Sequence, residues 1–144
     1  MKGFASVIVA AAVVVAMPAS AAVERYSCGQ PGKTPTVLDI DMAARTFYAA
    51  EGAASSKPIC QQFAEMITAG MDAGKAAAAA DFRSIGANCP IGVSDNAILA
   101  DFSGKTDNID TTTLIIFDRS EMTLRIAGRL FKAAIGIVAP CKRL

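Results

Sequence analysis

Thr111–Phe131, TTTLIIFDRSEMTLRIAGRLF, is the stretch from which the fold is read. Two apolar runs flank the polar quartet Asp118-Arg119-Ser120-Glu121, and Asp118 suits the first position of a type I turn. Beyond the turn Met122, Leu124, Ile126 and Leu130 alternate with Thr123, Arg125 and Arg129, the period of a strand with one wet face. Before it Leu114, Ile115, Ile116 and Phe117 are apolar without alternation, which predicts a central strand covered on both sides. The reading is an antiparallel hairpin, and the other segments are expected to cover or staple it.

Working outward, Ala97–Phe102 reads as a strand and Ser103–Asp110 as a polar connection, while Ala134–Cys141 supplies a last strand. Towards the amino end Val23–Cys28 alternates as a first strand, followed by a Gly- and Pro-rich loop, Gly29–Pro35. Thr36–Asp41 and Arg45–Ala49 read as a second hairpin, with Asp41 available to bond the turn backbone. Between the two groups of strands the period changes. Ile59, Phe63, Met66 and Ile67 fall on one helical face, with Ser56 as the expected cap and Pro58 in the first turn. The helical insertion spans 58–82, with a bend expected near Gly70–Gly74, and Ser84–Asn88 reads as loop. The Gly70-xxx-Gly74-xxx-Ala78 spacing is read as small residues that let the segment lie flat on a sheet. The fold class is α+β: a small antiparallel β meander or open barrel of about four to seven strands with a disulfide-closed helical insertion.

Residues 1–21 read as a signal peptide. Lys2 gives a positive start, Phe4–Met17 an apolar core, and Ala19-Ser20-Ala21 a small-residue cleavage pattern. Residues 22–144 then form a single globular domain, with no membrane segment after signal cleavage. Of 14 Lys and Arg only Lys2 lies in that segment, which leaves 13 basic residues against 13 acidic. That neutrality argues against a nucleic-acid partner, because phosphate contacts need a basic surplus.

Four cysteines remain: Cys28, Cys60, Cys89 and Cys141. An even number in an exported chain reads as two disulfides, and the localisation as periplasmic or secreted. Three pairings are possible. Cys28–Cys141 with Cys60–Cys89 is favoured, since it ties the two ends and separately closes the middle segment.

The chain has no histidine. Ser-His-Asp and Cys-His mechanisms and imidazole-based metal sites are therefore closed to it. Carboxylate pairs remain. Asp39 and Asp41 share a strand face, and Asp107, Asn108 and Asp110 carry oxygen ligands, though without the glycine and distal glutamate of a calcium loop. Ser103-Gly104-Lys105-Thr106 ends like a phosphate-binding loop, but Leu99 stands where its first glycine would be. Aspartates gather in 95–118 (Asp95, Asp101, Asp107, Asp110, Asp118) and cations in 119–144 (Arg119, Arg125, Arg129, Lys132, Lys142, Arg143). Pairing of opposite charges between adjacent strands is the reading preferred over a basic strip for an acidic partner.

The order Tyr26-Ser27-Cys28, Leu38-Asp39-Ile40-Asp41, Ser94-Asp95-Asn96-Ala97-Ile98, Ile116-Phe117-Asp118-Arg119 and a closing Cys141 resembles small exported bacterial proteins of unassigned function with a cysteine-framed antiparallel β core. The resemblance spans most of the chain after residue 21, except the insertion carrying Cys60 and Cys89, and implies no activity. Periplasmic inhibitors of C-type lysozyme are similar in size and framing, but their Ser-Gly-x-x-Tyr segment is not reproduced, since Ser103-Gly104 is followed by Lys105-Thr106-Asp107. The function expected is a non-enzymatic binding or interaction module of the cell envelope. It would have no cofactor or metal, and its partner would be an envelope protein or glycan. Its alternatives are such an inhibitor and a carboxylate-dependent hydrolase on an envelope glycan, and a site is sought at the face covered by the insertion.

Overall fold

The computed structural model describes residues 22–144; the signal-peptide reading of 1–21 lies outside the described residues. Nine strands form one antiparallel sheet: β1 (Glu24–Cys28), β2 (Thr36–Asp41), β3 (Thr46–Glu51), β4 (Lys57–Pro58), β5 (Ile91–Val93), β6 (Ala97–Lys105), β7 (Asp110–Asp118), β8 (Thr123–Leu130) and β9 (Ala133–Arg143). Their spatial order is β4-β3-β2-β1-β9-β8-β7-β6-β5, so the first strand meets the last in the middle of the sheet. The sheet curls into a half-barrel. Helices α1 (Ile59–Ala69) and α2 (Ala76–Ala87) pack inside it.

The inward set follows strand alternation. Tyr26, Leu38, Ile40, Phe47, Ile98, Phe102, Ile115 and Phe117 are buried on the concave face. Phe63 of α1 meets the Phe102 ring edge-on at 5.0 Å, and Phe82 of α2 stacks over the same ring at 6.2 Å. The convex face has no such cover. Leu114, expected under a second layer, lies there 40% exposed. β7 therefore alternates buried and open positions, and its continuous apolar run reflects an outer face with few polar side chains.

Both helices depart from expectation at their ends. Ser56 does not cap α1; the residue before its first turn is Pro58, which pairs with Tyr48 as part of β4. The bend falls at Gly70–Asp72, followed by a 3-10 turn at Ala73–Lys75. Gly70 and Gly74 are exposed, and a Cβ at either would meet nothing within 4 Å, so neither serves close packing. That role belongs to Gly86, in a stretch read as loop but folded as the last turn of α2. A Cβ on Gly86 would sit 2.8 Å from both Ala64 Cβ and Cys60 O, so its absence sets the crossing distance of the two helices.

Two disulfides hold this arrangement. Cys28–Cys141 joins opposed residues of β1 and β9, with Cα atoms 4.0 Å apart and a sequence separation of 113. Cys60–Cys89 ties the start of α1, just after the edge strand β4, to the residues leading into the other edge strand, β5. The insertion thereby bridges both ends of the half-barrel. Two disulfides in so short a chain point to oxidising surroundings. Among the described residues no helix is long and apolar enough to cross a membrane.

Candidate functional site

Of the carboxylates singled out from sequence, Asp39 and Asp41 are engaged locally. Asp39 holds Arg25 across the β1–β2 ladder, with Nε–Oδ1 2.7 Å and Nη2–Oδ2 3.3 Å. Asp41 Oδ1 accepts the Ala44 backbone N–H at 2.9 Å and closes the β2–β3 turn. Asp107, Asn108 and Asp110 are exposed, and Asn108 turns away to donate to Asp81 Oδ2 at 3.0 Å, beside the Thr106 hydroxyl at 2.6 Å. Those hydroxyl and amide bonds hold the Asp81 carboxyl below its ordinary value. The Ser120 hydroxyl and the Glu121 backbone N–H do the same for Asp118, and Lys57 and Gln61 for Glu65. Each resolved carboxyl shift is downward, the opposite of what a general acid requires. Among the described residues no three Cys, Asp or Glu side chains gather where they could hold a metal ion.

The expected pairing of the aspartates of 95–118 with the cations of 119–144 is not found. Among the described residues, Arg119 bonds Glu24 (Nη1–Oε1 3.1 Å), Arg125 bonds Glu121 within four residues, and the remaining ion pairs are Arg25–Asp39 and Lys57–Glu65. The register explains why. The outward positions of β7 between its ends are Thr112, Leu114 and Ile116, so Arg129 and Arg125 face Thr112 and Ile116 rather than aspartates. The cations also divide between faces: Arg125 and Arg129 lie on the convex side, while Arg143 shares the concave side with Tyr26.

Arg119 is a joint between elements. Its other guanidinium nitrogen, Nη2, donates to Asp95 O at 3.0 Å, and Glu24 in turn accepts the buried Tyr26 hydroxyl at 2.8 Å. Burial first, and the Glu24 bond second, raise the Tyr26 phenol above its ordinary value. The hairpin turn is thus tied to β1 through one carboxylate. Ser103-Gly104 is equally committed: it lies within β6, Ser103 donates to Asp101, and a Cβ on Gly104 would fall 2.6 Å from Ile85 Cδ1.

One flank that the fold leaves open is apolar. The helices pack chiefly against β3, β4 and β6 and leave the flank at β8 and β9 less covered. Along one cross-strand row, Ala100–Ile115–Ile126–Ile137, exposure rises from 0% at Ala100 and Ile115 to 50% at Ile137. Between this row and α1 runs a groove of about 60 Å³, floored by Ile115, Leu124 and Ile126 and walled by Phe63 and Met66, with Gln62, Thr36 and Glu51 as its polar rim. Met66 is 49% exposed although it lies on the apolar stripe of α1. A second hollow of about 190 Å³ lies at the seam of the half-barrel, between β3 and β5 beside Cys60–Cys89. Sequence periodicity placed Met66 and Ile126 facing inward; it carried no signal that Met66 would stay half open or that Ile126 would lie beyond the reach of α1.

No family model, curated protein or solved structure matches this chain.

Proposed function

We propose that the protein is a non-enzymatic binding module of the cell envelope, exported to the periplasm or beyond, whose contact surface is the groove between α1 and the open flank of the concave face. One observation carries the reading. Large apolar side chains (Met66, Leu124 and Ile126) line a gap that the protein's own helices do not fill, with a polar rim around it. An exposed apolar surface rimmed by polar groups is the usual mark of a docking site. At about 60 Å³ the groove has room for one apolar side chain of a partner rather than for a cofactor. Its partner is an envelope protein that presents such a side chain.

The test uses Met66→Glu, which places a charge on the groove wall where the side chain is already half open. Oxidised wild type immobilised and exposed to envelope extract should retain a partner that the variant releases, with both proteins equally stable to urea. Retention of the same partner by both would remove the groove from the function. Release of reducing sugar from purified envelope glycan by the wild type would replace binding with hydrolysis.

A further inference from the structure

The nine-stranded sheet is continuous in its middle only through a short joint. β1 pairs with β9 at Tyr26↔Arg143, Ser27↔Lys142 and Cys28↔Cys141. One further bond, Gly29 N–H to Pro140 O at 3.0 Å, closes the joint before the chain turns away through the loop from Gly29 to Pro35. β8 meanwhile pairs with β9 from Ala133 to Pro140. From Ala133 to Ala139, then, β9 is paired along one edge only among the described residues.

The other edge carries free backbone groups whose identity follows from alternation. Cys141 N–H reaches across to Met122 O, while Pro140 O and Leu144 N–H turn to the β1 side. Successive residues of a strand point their N–H and C=O to opposite sides, so Ala134, Gly136 and Val138 direct theirs into the open. The sheet's two ends are short by comparison. β4 has two residues, one of them Pro58, and β5 has three. The open part of β9 reads AAIGIVA, with no charge, no proline, and Ile137 and Val138 50% and 57% exposed. A long apolar edge of this kind is a template for another strand.

We infer that this edge is a self-association site, at which two copies of the chain pair antiparallel through Ala133–Ala139 about a two-fold axis at Gly136. The segment is self-complementary in that register. Ile135 opposes Ile137, Ala134 opposes Val138 and Ala133 opposes Ala139, so residues with outward backbone groups meet others of the same kind. The flanking cations stay outside the paired stretch, since Lys132 lies in the turn before Ala133 and Lys142 is already paired with Ser27. Nothing lies within 4 Å of where a Cβ on Gly136 would stand, which leaves the axis open to a second backbone. Pairing keeps like faces together, so the two concave faces become one surface, and the closed two-fold uses up this long edge, leaving only the short ends at β4 and β5. The inference stands on backbone pairing and does not depend on what the groove binds.

Analytical ultracentrifugation of the oxidised chain over rising concentration tests it. The wild type is expected to reach a dimer and stop there. Gly136→Lys and Gly136→Glu each place like charges across the axis, where like charges oppose pairing. Each alone should weaken the dimer roughly tenfold or more, and an equimolar mixture of the two should restore it. Val138→Pro removes a donor that the chain's own ladder does not use and should also give a monomer. Three outcomes overturn the inference: a wild type that stays monomeric, open-ended aggregates in place of a dimer, or a dimer indifferent to all three substitutions. Loss of the dimer in both charge variants without recovery on mixing would assign the edge to a foreign strand and equally overturn it.

Discussion

Asp118 shows how a single side chain sets the geometry of a hairpin. Its Oδ1 accepts the Ser120 N–H at 2.9 Å, the Ser120 hydroxyl at 2.7 Å and the Glu121 N–H at 3.0 Å, so three donors converge on one oxygen. Met122 then takes a left-handed φ of 52° as the chain enters β8. These bonds favour the ionised form, which gives stability a direction in pH. A carboxyl held below its ordinary value of 3.8 in the folded state contributes stability that is present above that value and is lost as pH falls through the depressed one. Asp81, with its Thr106 and Asn108 donors, acts in the same window. Urea midpoints followed from pH about 5 to about 2 should therefore fall in the wild type. They should fall less steeply in Asp118→Asn, whose amide oxygen keeps the backbone bonds but does not titrate. Equal slopes would show that the turn carboxylate does not couple to folding.

At the scale of elements the helical insertion is governed by one contact. Because a Cβ at Gly86 would meet Ala64 Cβ and Cys60 O at 2.8 Å, even Gly86→Ala must push α1 and α2 apart. The expected cost is about 1–3 kcal/mol, the range for overpacking a tight core site, and it is read as a lowered urea midpoint with an unchanged slope. Gly70→Ala, in open space, should cost nothing by the same assay. Sequence reading singled out Gly70 and Gly74 because their spacing was regular, and passed over Gly86 because it stood alone in a stretch that resembled a loop. Spacing within one helix says which residues share a face, but not which face meets a second helix. The hairpin at Thr111–Phe131 was legible because strand alternation is local and its turn chemistry compact. The open second face of β7 was not, since cover by another layer is decided elsewhere in the chain. The groove was half legible. Periodicity assigned its lining inward, but the length of α1 relative to the width of the sheet left that lining uncovered.

On the scale of the whole molecule the two disulfides divide the labour. Cys60–Cys89 draws the two ends of the sheet towards each other, and Cys28–Cys141 locks the joint at which the first strand meets the last. That second lock has a mechanical consequence. Glu24 and Leu144 leave the joint on the same side, so tension applied to the chain's ends peels β1 from β9 beginning at the bond from Leu144 N–H to Arg25 O. Peeling then reaches Cys28–Cys141 and halts, and the segment enclosed by that bond, a sequence separation of 113, is shielded from the load. Held in an optical trap by its two ends, the oxidised protein should behave as a short inextensible link. After reduction it should lengthen by roughly 370 Å, at ~3.3 Å per residue released. An oxidised chain that lengthened by a comparable amount would show that the bond does not bear the force. In oxidising surroundings such a domain would carry tension between whatever is attached to its ends without unfolding.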